Sequence, residues 1–326
     1  MEKFSNWRDG PTGIHPLLPP KIQSTNIIVS IVSNIIGFAL FIIRLPFIVV
    51  FTLLLVGSDS LFKKVQLGFA SRFLNRFFSI VFGRIVLIAL GFNKMDEYTE
   101  TLSKNRQLSG SLSDVKLNDV ILANHTSYVD IIYLAYRYSP TFAVPPNDSV
   151  SNTPGYVVPM TLWEALTNAI SYQVIPSSKA VSLVGLSKTL KWNGPIVVFV
   201  EGATSNGSGL LETNNNLLDG WILASGVHIV GIHYPNLYPI YTSVGSFTLH
   251  LIRLASRLSN TIEAMYLSRT NFTAFDKNDT ASWYNSLMNC LADLVHARRT
   301  QINSHNKLSF VGYWYGYKVN YNKKSN

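Results

Sequence analysis

The stretch VILANHTSYVD, from Val120 to Asp130, decides how the chain is read. Its first four residues are apolar, the composition of a buried strand, and they give way to Asn124 and His125. From Tyr128 onward the run YVDIIYLAYRY has a helical pattern. A strand followed at once by a helix is the unit of an α/β layered domain, whose functional loops leave the carboxyl ends of strands. His125 stands at such an end, and Asp130 falls in the opening turns of the helix. With that spacing the carboxylate can fold back on the imidazole, accept one ring N–H, fix the tautomer and stabilise the imidazolium. The other ring nitrogen is then free to remove a proton, so the pair is a candidate general base.

Working outward, short strand-like runs (DVILANH, TFAVPP, PIVVFVEG, VHIVGIHYP, TIEAMYL) alternate with helical patterns such as FTLHLIRLASRLS and ASWYNSLMNCLADLVHARRTQIN. The alternation predicts an α/β layered domain with a largely parallel sheet over 119–302. The polar stretch over 93–118 reads as a linker ahead of it, 303–326 as a C-terminal tail, and 1–25 as a polar, proline-rich N-terminal segment that lacks the form of a secretory signal.

Between these lies the membrane-embedded helical segment, 26–92. Asn26 to Gly57 exceeds the roughly 20 apolar residues that cross a bilayer. Arg44 and Pro46 sit in its middle, where a charge is costly and proline breaks the backbone ladder, so a hairpin reversing there is expected over a single tilted span. The following run, up to Phe92, interleaves apolar residues with Lys63, Lys64, Arg72, Arg76 and Arg84, and reads as a basic amphipathic helix on an anionic membrane face. In a chain of 326 residues, 47% are hydrophobic and only 14% charged, with a net charge of +9. That balance suits anionic lipid or phosphorylated small molecules; no module for nucleic acid is present. The one cysteine, Cys290, excludes an intramolecular disulfide and a multi-cysteine metal site.

A second motif repeats the design of the first. In PIVVFVEGATSNGSG a buried strand runs into Glu201 and Gly202, then Thr204, Ser205 and Asn206. Glycine allows close backbone approach to a ligand, and the hydroxyl and amide groups can receive an anionic oxygen. No G-x-S-x-G elbow, H-E-x-x-H helix or Walker loop supplies another chemistry, so the base must act on a substrate hydroxyl.

NHTSYVD followed by FVEGATSNG resembles the first and third sequence blocks of the glycerolipid acyltransferase superfamily, H-x-x-x-x-D and an E-G-T-rich block, with similarity from about Val120 to Leu267. The resemblance implies acyl-CoA-dependent acylation of lysophosphatidic acid (1-acyl-sn-glycerol 3-phosphate) to phosphatidic acid. His125 would deprotonate the acceptor hydroxyl, Asp130 orient it, and Glu201 and Gly202 position the acceptor's glycerol and phosphate. Acyl-CoA is then a co-substrate with no further cofactor and no metal, and the partners are acyl-CoA, a lysophospholipid and membrane lipids. It also implies the endoplasmic reticulum membrane and lipid droplets, with the catalytic domain facing the cytosol. A thioester is activated, so a base-assisted hydroxyl attacks it directly without an acyl-enzyme.

Departures bear on the acceptor. Val200 stands where the family often has proline, Ala203 replaces its first threonine, and Ser205 lies near its phosphate-binding arginine. The second block offers only Lys179, with Lys188 behind it, as the phosphate cation. A different lysolipid acceptor, such as lysophosphatidylcholine or lysophosphatidylinositol, is the near alternative, and a non-catalytic membrane-trafficking or lipid-binding protein on the same scaffold is the distant one. His228 and His233 read as structural or substrate-lining. The N-x-S/T matches at Asn124, Asn147, Asn206, Asn271 and Asn278 read as chance matches.

Overall fold

A computed structural model describes residues 3–20, 27–65, 68–100, 106–108, 115–148, 153–190, 193–213, 216–221, 226–267 and 279–316. Its strands are β1 (Lys94–Glu100), β2 (Arg106–Leu108), β3 (Val120–Ala123), β4 (Thr141–Val144), β5 (Tyr156–Met160), β6 (Val181–Ser182), β7 (Ile196–Phe199), β8 (Gly209–Glu212), β9 (Val227–His233), β10 (Thr261–Leu267) and β11 (Arg298–Asn303). The α-helices are α1 (Ile27–Lys64), α2 (Phe69–Ala89), α3 (Tyr128–Tyr138), α4 (Leu162–Ile170), α5 (Leu183–Thr189), α6 (Phe247–Ala255), α7 (Thr280–Leu294) and α8 (Ser304–Tyr315).

Nine strands form one sheet in the order β2-β1-β10-β9-β3-β7-β4-β5-β6. Its centre, β9-β3-β7-β4, is parallel, as the alternation of strands and helices predicts, and antiparallel pairs close both edges. The central strands are buried on both faces, which explains their unbroken apolar runs. Their side chains divide by period two: Ile121, Ala123, Val197 and Phe199 enter one core with α3, while Val120, Leu122, Ile196 and Val198 enter another with α7.

The membrane segment departs from expectation. No reversal occurs at Arg44 and Pro46: α1 runs through Pro46 for 38 residues, and α2 folds back antiparallel along it, with Phe51 against Phe82 and Phe62 against Phe78. The hairpin is made by two helices turning near Gly68. Arg44 is compatible with a continuous helix because its guanidinium is engaged within the protein. Its guanidinium donates to the carbonyls of Ala255, Arg257 and Leu258 at the C-terminal end of α6, where a cation is favoured. Phe41, Ile48 and Leu55, seven residues apart, are buried on the same core as α3. Ile35, Ile36, Ile42, Ile43, Phe47, Val50, Leu53 and Leu54 are exposed. Within α1, Asn34–Lys64 is long and apolar enough to cross a membrane, with a mean hydropathy of 2.7.

Three boundaries also move. The stretch expected as a linker supplies β1 and β2, and β1 pairs with β10 along its length; its polar side chains suit a strand near the sheet edge, none of Lys94–Thr99 being buried. Much of the expected tail is helix α8, with Phe310 and Val311 buried; its last ten residues, 317–326, lie outside the described residues. The N-terminal segment packs on α8 and on the Glu201 turn through Trp7 and Leu17, because its few large apolar side chains find a core there. The domain therefore takes in the described part of the N-terminal segment and α8, which the sequence reading left outside it.

Candidate active site

The spacing of His125 and Asp130 follows from helix capping. β3 ends at Ala123, Ser127 is the N-cap of α3, and Asp130 is the third residue of the helix in a capping box. Asp130 Oδ2 accepts from Thr126 N at 2.6 Å, from Ser127 N at 2.9 Å, and faces His125 Nδ1 at 3.1 Å. Its Oδ1 accepts from the hydroxyl of Tyr234, at the carboxyl end of β9. These backbone donors at the helix N-terminus fix the orientation of the Asp130 carboxylate, which is aimed at the ring. The imidazole stacks on Phe199 with centroids 4.1 Å apart. Nε2 makes no hydrogen bond among the described residues, which leaves it available to a proton donor. Burial pushes the His125 pKa below its ordinary 6.5 against the pull of Asp130, and the positive charge of Lys307 pushes the same way as burial. The ring is thus a neutral base near pH 7.

The structure brings the second motif directly beneath the first. Glu201 Oε1 accepts from His125 N at 2.7 Å and Oε2 from Leu211 N at 2.9 Å. Ser205 N donates to His125 O at 2.9 Å. The backbone of His125 is thereby held on both sides by the turn that follows β7. Burial pushes the Glu201 carboxyl up to about 8, against the two backbone donors that favour its ionised form. Both oxygens being engaged, Glu201 is placed to position His125. Gly202 has φ +64, and a Cβ there would lie 2.9 Å from Pro145 Cγ, so the turn requires glycine.

The polar side chains of the turn are also engaged within the protein. Asn206 Nδ2 donates to His15 O and Leu18 O, at 2.7 and 2.8 Å, and its N–H to Pro16 O at 2.7 Å. Thr204 Oγ1 lies 3.3 Å from Ser243 Oγ and accepts from Lys307 Nζ. Lys179, the expected phosphate cation, is exposed on a short 3-10 turn and makes no hydrogen bond to 201–206. The lysine that reaches this turn is Lys307. Sequence reasoning missed it because it lay in the presumed tail, although a helical projection of α8 puts Lys307 on the face of Ser304 and Val311. Tyr234 was equally legible in principle, standing at the end of a central strand.

Small cavities flank Glu201, one beside Pro145 and Ser304 and one beside Thr126 and Tyr234. A larger one of about 200 Å³, lined by Lys63, Arg72 and Asn193, lies at the α1–α2 turn and not at His125. His228 bonds Asp119 at 3.0 Å, a structural role. Asn124 and Asn147 are buried and hydrogen-bonded through their side-chain amides, as is Asn206, so none of the three is a glycan acceptor in this fold. Asn271 and Asn278 lie outside the described residues.

Residues 103–235 match the acyltransferase family model, a span that holds both motifs. The chain is 26% identical over 221 residues to a Schizosaccharomyces pombe protein provisionally named lysophosphatidic acid:oleoyl-CoA acyltransferase; the match takes in 65% of this chain and 66% of that protein's length. Among solved structures it is similar to the 1-acyl-sn-glycerophosphate acyltransferase PlsC of Thermotoga maritima, with a TM-score of 0.39 and 13% identity over 81% of this chain and 97% of the other.

Proposed function

We propose that this protein transfers an acyl group from acyl-CoA to the free hydroxyl of lysophosphatidic acid, giving phosphatidic acid. The observation that carries the reading is His125 Nδ1 held 3.1 Å from the Asp130 carboxylate of the capping box while Nε2 makes no hydrogen bond among the described residues. Nε2 takes the proton of the acceptor hydroxyl as its oxygen attacks the thioester carbonyl; the imidazolium is stabilised by Asp130 and returns the proton as CoA thiolate leaves. Asp130 and Glu201 act through the imidazole and its backbone. The donor and acceptor are supported by the likeness to the S. pombe protein, whose name carries both.

Helices α1 and α2 supply the membrane contact. α1 touches the catalytic domain from Gly37, against Ser256, to Lys63, which donates to Pro140 O. That is about 39 Å of helix, more than the thickness of a bilayer's hydrocarbon core. Crossing the bilayer would carry the domain's flank through lipid with it. The hairpin instead lies along the membrane surface and offers its exposed apolar face to lipid, an arrangement compatible with a bilayer such as the endoplasmic reticulum and with the monolayer of a lipid droplet.

The second reading keeps the chemistry and changes the acceptor to lysophosphatidylcholine or lysophosphatidylinositol. It is favoured by Ser205 in the arginine position and by the exposed Lys179. Purified protein incubated with oleoyl-CoA and a panel of lysolipids separates the two: faster acylation of lysophosphatidic acid supports the first, and faster acylation of lysophosphatidylcholine supports the second.

A further inference from the structure

We propose that Lys307, carried by the C-terminal helix, is a positioning residue for acyl transfer, pinning the turn that backs His125; this deepens the acyltransferase reading and rests on it. Lys307 is wholly buried, yet among the described residues it forms no ion pair with a carboxylate. Its Nζ donates to Thr204 O at 2.6 Å, to Ser243 Oγ at 3.2 Å and to Thr204 Oγ1, and lies 4.7 Å from the centre of the Tyr172 ring. All three N–H groups are thus directed at one turn and the residue that braces it.

Neither packing nor helix stability accounts for a cation here. Desolvating an ammonium is costly unless something specific compensates it. Lys307 is also the fourth residue of α8, close to the positive end of the helix dipole, where a cation is disfavoured. What the charge gains is the conformation of Thr204. That residue lies between the two contacts that fix the His125 backbone, Glu201 Oε1 to His125 N on one side and Ser205 N to His125 O on the other. Asn206, next along, is held by the N-terminal segment, whose Trp7 bonds Ser309 of α8. The N-terminal segment and α8 therefore close on the same turn.

The charge also reaches the base. The groups facing His125 are Asp130 on α3, Glu201 on the turn, Lys307 on α8 and, through Asp130, Tyr234; those facing Lys307 are Glu201, Tyr172 and, at longer range, His125. Burial pushes Lys307 down to about 7, so it is cationic on the acid side of neutrality, where it opposes protonation of His125. Removing the cation raises the pKa of His125, and the acid limb of kcat/KM moves to higher pH.

The test uses the full-length protein in detergent or lipid, with oleoyl-CoA and lysophosphatidic acid, comparing wild type with Lys307→Met and Lys307→Arg. For the methionine variant kcat falls at least about tenfold with each KM within about twofold. Its acid limb moves up by about half a pH unit, whereas the arginine variant keeps the wild-type limb even if turnover drops. A methionine variant with wild-type kcat and an unmoved limb, whatever its melting temperature, overturns the inference and leaves the acyltransferase reading standing. A wild-type protein that acylates no lysolipid overturns that reading and the inference with it. Should the methionine variant not fold, Ser243→Ala removes one acceptor of the ammonium and no charge; kcat then falls about threefold with the limb in place, and unchanged kcat overturns the inference.

Discussion

At His125 two opposing effects meet, and their balance predicts a pH profile. Burial lowers the pKa, Asp130 raises it, and the net shift is downward from 6.5. The base works only when neutral, so activity is lost as pH falls through the folded-state pKa, and the acid limb of kcat/KM lies below pH 6.5. A limb centred above 6.5 would mean that Asp130 outweighs burial. Glu201 makes a second prediction. Its two oxygens accept from His125 N and Leu211 N, and a glutamine amide has only one acceptor oxygen, so Glu201→Gln leaves a buried donor facing an NH₂ group. The substitution costs about 1–3 kcal/mol of stability, read by denaturant unfolding in detergent, and an unchanged midpoint would contradict this role. His125 and Asp130 were legible because capping links them within six residues of sequence. Glu201 was legible as a site residue but its hold on His125 was not, and Lys307 was missed altogether, since Glu201 meets His125 across 76 residues and Lys307 meets Thr204 across 103.

Among the elements, those whose pattern follows from burial could be read directly. The apolar runs of β3, β7 and β9 mark central strands, and the apolar spacing of α3 and α7 marks helices packed on them. β1 could not be read, because a polar strand near an edge carries no alternation that sets it apart from a linker. In α1, Pro46 and Arg44 suggested a break, but a helix supported on one side tolerates a proline, and the arginine finds carbonyl acceptors on α6. Arg44→Met tests that contact. It makes α1 more apolar while removing charge-assisted bonds to three carbonyls, and stability falls by about 1.5–3 kcal/mol. A variant as stable as wild type in detergent would show that α1 is held by its apolar contacts alone.

On the scale of the whole molecule, strand order and the closure of the N-terminal segment and α8 on the Glu201 turn are long-range properties that no local pattern encodes. They set the topology. The N-terminal segment and the domain that follows α2 pack against each other through Trp7, Leu17 and Phe310, so the surface hairpin proposed above predicts both on one side of the membrane. An N-terminal tag in sealed microsomes is therefore digested by added protease, and protection of the tag would contradict the surface hairpin. The site itself gathers a base from the end of β3, its brace from the end of β7 and a hydroxyl from the end of β9. The central claim is that this assembly transfers acyl groups through His125. The most direct test follows CoA release and phosphatidic acid formation from oleoyl-CoA and lysophosphatidic acid, using purified wild type and His125→Ala shown to be folded. The structure predicts product from wild type and a loss of about a hundredfold or more in the variant, and a variant retaining more than about a tenth of wild-type activity would contradict it.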